Sequence, residues 1–182
     1  MEISTLYHNC RPEGKLLPQE AAAFDLLEKL DIPYDRVSGD PADNMEKCAA
    51  VSEVLGTPIC KNLFLCNRQK TQFYLLAMPS DKPFHTKDLS HQLGCARLSF
   101  AAPEAMEELL HVHPGSASIL SLLFDTEGKV QLVMDRETYE QDYLSCHPCK
   151  STGTLKLRMR DVLEVFLPRT GHAPTVVELP KY

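Results

Sequence analysis

Cys60-Lys61-Asn62-Leu63-Phe64-Leu65-Cys66, then the polar connection Asn67-Arg68-Gln69-Lys70, then Gln72-Phe73-Tyr74-Leu75-Leu76-Ala77-Met78, is the stretch whose reading decides the fold. Two apolar runs of strand length joined by a short polar turn read as a β-hairpin over 59–78. The first run contains a lysine, and a strand apolar at nearly every position accommodates an ammonium only if it meets an anion or reaches water. Lys61 therefore needs a partner. From the pattern alone it is either a lysine snorkelling from the start of a strand or a catalytic group.

Outward from this hairpin, strands and helices alternate. Pro18 to Ile32 places Ala22, Ala23, Leu26, Leu27 and Leu30 on one helical face, with Pro18 suited to the first turn and Pro33 to the stop. Tyr34 to Val37 reads as a short strand. Asp43 or Asn44 can cap a helix that runs to about Leu55 and ends at Gly56. Thr86 to Leu93 and Pro103 to Leu110 read as short helices. Ser118 to Phe124 and Lys129 to Met134, separated by Asp125-Thr126-Glu127-Gly128, read as a second hairpin. Thr154 to Met159 reads as a strand and Asp161 to Leu167 as a closing helix. The expected class is α/β or α+β: one domain over 1–182, with a mixed, curved, largely antiparallel sheet wrapped by helices.

Composition narrows the function classes. The chain has 182 residues and seven cysteines, and its first residues carry no basic-then-apolar segment. A soluble, reduced, cytoplasmic protein is expected, without a membrane span. The formal charge is -6, yet residues 61–97 hold six basic against two acidic side chains, and residues 146–160 hold four basic and none acidic. Folding that joins these stretches would place a positive face on an acidic body, fit for a phosphate backbone; the alternative is two solvated strand faces. The glycines stand too far apart for a dinucleotide or Walker loop, and no serine-hydrolase elbow or zinc-protease helix occurs. No cofactor and no metal are expected.

Two further stretches invite chemistry. Cys146-His147-Pro148-Cys149 has the spacing of a redox or zinc pair. It lacks a second ligand pair, however, and leads through Ser151-Thr152-Gly153-Thr154 into a strand instead of opening a helix, which favours two half-buried thiols beside a turn. His113-Pro114-Gly115-Ser116-Ala117-Ser118 makes a tight turn. Its N–H groups either face an oxygen anion or merely join a helix to a strand.

Taken in order, Lys61-Asn62-Leu63-Phe64-Leu65, Lys87-Asp88-Leu89-Ser90, Arg97-Leu98-Ser99-Phe100-Ala101, Pro114-Gly115-Ser116-Ala117-Ser118 and His147-Pro148 with Thr152 resemble the YbaK/prolyl-tRNA-synthetase-associated domain family of trans-editing deacylases, over about residues 16–168. The branch that clears alanine from proline tRNA is the nearest likeness. The resemblance implies hydrolysis of a mischarged aminoacyl-tRNA ester at a site between the Lys61 strand, the Gly115 loop and His147. A synthetase pocket shaped for proline excludes alanine poorly, because a methylene is worth only about 1–3 kcal/mol, so a second hydrolytic site is useful.

The ester is already activated, so an oriented water and oxyanion stabilisation suffice without a covalent nucleophile. On this resemblance Lys61 holds phosphate or ribose oxygens of the terminal adenosine. Asn62, Gly115, Ser116 and Ser118 position ester or water, and His147 lines the aminoacyl pocket or binds its amine. Thr152 belongs to the substrate side, and Arg97 grips the acceptor stem. The expected partners are aminoacyl-tRNA and a prolyl-tRNA synthetase, with neither DNA nor membrane.

The sequence departs from the family pattern at Cys66, at Ile119-Leu120, at Ser151 and at Gly39-Asp40. These departures bear on pocket shape and leave cysteine or serine as alternative aminoacyl groups. A non-catalytic tRNA- or synthetase-binding module of the same fold is a further alternative, and a thiol-redox or metal protein built on Cys146 and Cys149 is another.

Overall fold

The computed structural model describes residues 2–182. In chain order its elements are β1 (Tyr7–His8), α1 (Pro18–Lys29), β2 (Tyr34–Ser38), α2 (Met45–Leu55), β3 (Cys60–Cys66), β4 (Phe73–Pro79), α3 (Thr86–Leu93), β5 (Ser99–Phe100) and α4 (Pro103–Leu110). They continue with a 3₁₀ helix (Ile119–Phe124), β6 (Val130–Asp135), α5 (Arg136–Tyr139), β7 (Tyr143–Cys146) and β8 (Gly153–Arg158). The chain closes with α6 (Met159–Asp161), a π-helical turn (Val162–Phe166), α7 (Leu167–Thr170) and β9 (Thr175–Val177).

Local chemistry sets most of these boundaries. Pro18 opens α1, where its missing N–H costs nothing, and the Glu20 carboxylate accepts from the Leu17 N–H at 3.2 Å. Asn44 caps α2 by accepting from the Lys47 N–H at 2.9 Å, and Gly56, at φ +76°, ends it in the left-handed conformation that glycine adopts without penalty. Asn67 closes the β3–β4 turn by accepting from the N–H groups of Thr71 and Gln72.

The mixed helix-and-strand class stands as expected, but the strands divide between two sheets. One is antiparallel throughout, in the order β1-β2-β8-β7; the other runs β5-β3-β4-β6-β9. β3 and β4 form the expected antiparallel hairpin, pairing Lys61 with Met78 and Phe64 with Leu75. β4, β6 and β9 are mutually parallel. Because β4 is central and covered on both faces, Tyr74 through Met78 are all buried, which explains an apolar run without alternation.

The second expected hairpin, 118–134, is not one. Ile119 to Phe124 form a 3₁₀ helix, and β6 pairs in parallel with β4. A short apolar run does not distinguish a strand from a buried helical turn. Here Ser118 caps the turn by accepting from the Leu120 N–H at 3.1 Å, and Ile119, Leu120 and Leu122 are all completely buried. The Asp125 carboxylate then starts β6 by accepting from the N–H groups of Lys129 and Val130, while His172 Nε2 lies 2.8 Å from it and ties down the chain after α7.

The five-stranded sheet has a core on each face. On one side Cys60, Phe64, Leu75, Leu132 and Met134 pack with α1, the 3₁₀ helix and strands of the other sheet. On the other, Leu63, Leu65, Leu76, Met78 and Val133 pack under α3 and the C-terminal segment. Among the described residues no helix is long and apolar enough to cross a membrane.

Candidate functional site

β3 carries the site because only part of one of its edges is paired. β5 bonds to its C-terminal end alone, at Leu65 and Cys66, so the edge at Lys61 to Leu63 has no neighbouring strand. β7 approaches that edge through the Ser145 hydroxyl, which accepts from the Cys60 N–H at 2.8 Å. By the strand's two-residue period, Lys61 shares a face with Leu63 and Leu65, whereas Asn62 shares the opposite face with Cys60 and Phe64.

Lys61 does not run out into water. It is half-buried, and its ammonium donates to the main-chain carbonyl of Lys82 at 2.6 Å. Burial holds its pKa below the ordinary lysine value, with the Asp81 carboxylate pulling the other way. The anchoring carbonyl is itself fixed. The Lys82 ammonium is buried against the Asp135 carboxylate at 2.7 Å, and the second oxygen of Asp135 accepts from the Leu179 N–H at 2.9 Å. Composition and periodicity point to none of this, since Lys82 and Asp135 stand 53 residues apart.

Asn62 presents a different signal. Its side-chain carbonyl Oδ1 is buried and has no hydrogen-bond partner among the described residues. A buried acceptor left unmade costs about 1–3 kcal/mol, so this oxygen is disposed to take a donor from a ligand.

On the Asn62 face stand the partly buried Cys60 and the buried Cys146 and Cys149. Burial pushes the Cys60 and Cys149 thiols up to about 12, and that of Cys146 up further, so all stay protonated near neutrality. A protonated thiol is neither a nucleophile nor a metal ligand. Among the described residues no three His, Cys, Asp or Glu side chains gather as metal ligands.

His147 follows β7 at the same end. Its Nδ1–H donates to the Gly153 carbonyl at 2.7 Å, which leaves Nε2 as an acceptor. Gly153 permits this closure: a Cβ there would meet Pro148 Cγ at 3.3 Å. Desolvation lowers the His147 pKa below its ordinary 6.5, against the Gly153 hydrogen bond that raises it. The folded protein therefore favours the neutral ring. The stability this gives is complete above pH 6.5 and is lost as pH falls through the depressed value, because the unfolded chain takes up the proton first. Urea midpoints measured from pH 7 to pH 5 should fall further for the natural protein than for His147→Gln; parallel curves would contradict the buried neutral ring.

The remaining expected site residues differ in their surroundings. Gly115, at φ +88°, stands exposed with open space around it, so a ligand can approach its backbone closely. The Ser116 N–H, however, is committed to the His113 carbonyl at 3.0 Å, which removes it as an oxyanion donor and leaves its hydroxyl. Ser118 is completely buried, and its hydroxyl works as the helix cap described above. Thr152 lies beside the end of β2, where its carbonyl accepts from the Gly39 N–H, and it makes no hydrogen bond to Lys61, Asn62 or His147.

Of the two readings of the basic stretches, the structure favours separate strand faces over one joined face. Residues 61–97 and 146–160 belong to different sheets. In the second stretch Lys156 pairs with Asp35, Arg158 with Asp161 and Arg160 with Glu164. Arg97 is exposed and lines a groove of about 760 Å³ with Phe84, His85, Thr86, Lys87, Ser90 and Phe100. The aromatic members went unread in the sequence, although Phe84 and Phe100 alternate there with Lys82, Lys87 and Arg97, a pattern that suits nucleic acid.

Comparison with known proteins agrees with this geometry. Residues 40–165, well over half of the chain, match the family described as the aminoacyl-tRNA editing domain. The chain is 28% identical over 158 residues to the prolyl-tRNA editing protein ProX of Acetoanaerobium sticklandii, spanning 87% of this chain and 96% of that protein. It is 32% identical over 165 residues to the prolyl-tRNA synthetase associated domain-containing protein 1 of Xenopus laevis, spanning 88% and 96%. In fold it resembles the crystal structure of a candidate trans-editing enzyme for prolyl tRNA synthetase, with a TM-score of 0.67 at 14% identity over 92% of this chain and all of that one. The match over residues 40–165, which include the Lys61 strand and the buried Asn62 acceptor, together with the relatives shows that this chain belongs to the aminoacyl-tRNA editing domain family.

Proposed function

We propose that the protein hydrolyses the ester of mischarged aminoacyl-tRNA, with alanine on proline tRNA as its substrate. The observation that carries this reading is the buried, unpartnered Oδ1 of Asn62, on the strand position adjacent to the anchored Lys61 and on the opposite face of β3, at its unpaired edge. An aminoacyl ester offers both groups what they lack. Its α-ammonium is a donor for Asn62 Oδ1 and for the free Nε2 of His147, and the ribose and phosphate oxygens next to the ester are acceptors for Lys61. The Gly115 backbone and the Ser116 hydroxyl flank the reacting carbonyl and orient the water. The Cys60 and Cys149 thiols are poor nucleophiles, because burial keeps them protonated.

On this reading a pocket beside Asn62 admits the alanine side chain and excludes the larger proline ring. The names of the relatives point to a prolyl-tRNA synthetase as the source of the mischarged product. In an assay of ester loss from proline tRNA charged with alanine, serine, cysteine or proline, alanine is removed fastest and proline is spared. Equal loss of alanine and proline rejects the size-selective pocket. Binding of the charged tRNA without ester loss makes the protein a non-catalytic module.

A further inference from the structure

We infer that the groove between Phe84, Lys87, Arg97 and Phe100 is a stacking site for a single-stranded RNA base just upstream of the ester-bearing nucleotide. The inference rests on the proposed function and extends it to a site on the other side of Lys61. Phe100 is 60% exposed although it is a large apolar side chain at a sheet edge. Phe84 packs against it with ring centroids 6.1 Å apart and planes at 72°, so one ring braces the other while most of Phe100 remains exposed. A base has a π-face to lay on it whatever its identity.

The charge around this ring has one sign. No carboxylate lines the groove, whereas Lys87, Arg97 and His85 do. Among the described residues neither Lys87 nor Arg97 forms an ion pair, while Arg11, Lys82, Arg136, Lys156, Arg158 and Arg160 each meet a carboxylate. Two unneutralised cations flanking an open aromatic face suit a phosphate–base–phosphate ligand better than an apolar peptide. The start of α3 adds to this, since His85 makes no side-chain cap to its first N–H groups.

Position connects the groove to the chemistry. Phe100 pairs with Leu65, so its side chain lies on the same sheet face as Leu65, Leu63 and Lys61. From Leu65 to Lys61 the strand advances about 13 Å. Phe84 stands two residues beyond Lys82, whose carbonyl holds the Lys61 ammonium. An unpaired 3′ end entering at Arg97 and stacking on Phe100 therefore leads along β3 toward Lys61.

The test uses the full-length protein and two uncharged, fluorescein-labelled probes, the ribotetranucleotide ACCA and the same backbone without bases, followed by anisotropy. ACCA binds more tightly than the abasic probe. Phe100→Ala weakens ACCA about tenfold and leaves the abasic probe unchanged, because stacking alone is removed. Arg97→Ala weakens both probes and reduces the slope of log affinity against log salt by about 0.7, one phosphate contact on a single strand. Equal affinity of the natural protein for the two probes overturns the inference, as does an unaltered ACCA affinity in Phe100→Ala. Full displacement of ACCA by hexaglutamate with no preference for bases also overturns it and marks the groove as a protein-facing surface. Since the probes carry no ester, ACCA binding without alanyl-tRNA hydrolysis would reject the editing reaction and keep the groove, and hydrolysis unaffected by Phe100→Ala would do the reverse.

Discussion

Replacing Lys61 by alanine lowers the single-turnover rate of alanyl-tRNA hydrolysis about 10²–10³-fold, the loss found when one preorganised donor is taken from a hydrolytic site. The ammonium already has its direction set by the Lys82 carbonyl at 2.6 Å and is partly withdrawn from water, so its field at a substrate oxygen is stronger than that of a surface lysine. Folding survives the change. Lys61 is only half-buried and its loss leaves one main-chain carbonyl short of a partner, which costs about 1 kcal/mol. Lys61→Arg does not restore the rate, because a planar fork cannot reproduce a compact point charge seated on one carbonyl. Rapid quench with natural and variant protein measures the effect, and indistinguishable rates remove Lys61 from the mechanism.

The second large effect is on stability. Lys82 and Asp135 are 7% and 1% exposed in their side chains and form a 2.7 Å ion pair. Asp135→Ala leaves the ammonium buried without its nearest carboxylate, Glu137 being 3.6 Å away and more exposed, and strips the Leu179 N–H of its acceptor. The expected loss is about 3–5 kcal/mol. For a domain of this size each kcal/mol lowers the melting temperature by about 2–4 °C, so the transition should fall by roughly 6–20 °C. The double variant Lys82→Met with Asp135→Leu removes both charges together and regains the part of that loss due to the unpaired ammonium, while the Leu179 N–H stays without its acceptor. Its hydrolytic rate stays low, because the carbonyl that aims Lys61 is no longer tied to β6 and to the C-terminal segment. A melting temperature unchanged in Asp135→Ala would show that the pair is not holding this region.

That segment lies outside the part of the chain matched by the family, residues 40–165. Tyr182 donates to Asp88 at 2.6 Å, the Glu178 N–H donates to Gln92 at 2.8 Å, and Leu179 packs in the core under α3. The family resemblance in the sequence accordingly pointed to Lys61 as a site candidate but not to the groups that anchor it.

The parts of the fold readable without coordinates are those governed by neighbours a few residues away. Pro18 at a helix start, Asn44 as a cap, Gly56 as a left-handed stop and the Asn67 turn between two apolar runs each act within one helical turn or one hairpin, and each element formed where these signals place it. The same reading demanded a partner for Lys61, since the cost of a buried unpaired ammonium does not depend on the fold. Its partner was not legible, because Lys82 and Asp135 meet only when β4 and β6 lie side by side in parallel. Ser118 and the run behind it were read as strand because six apolar residues fit either a pleat or a buried turn, and only the surrounding core selects between them. The basic residues of 146–160 divide from those of 61–97 for a similar reason: their carboxylate partners and their sheet are set by strand pairing, which depends on contacts between residues remote in the chain.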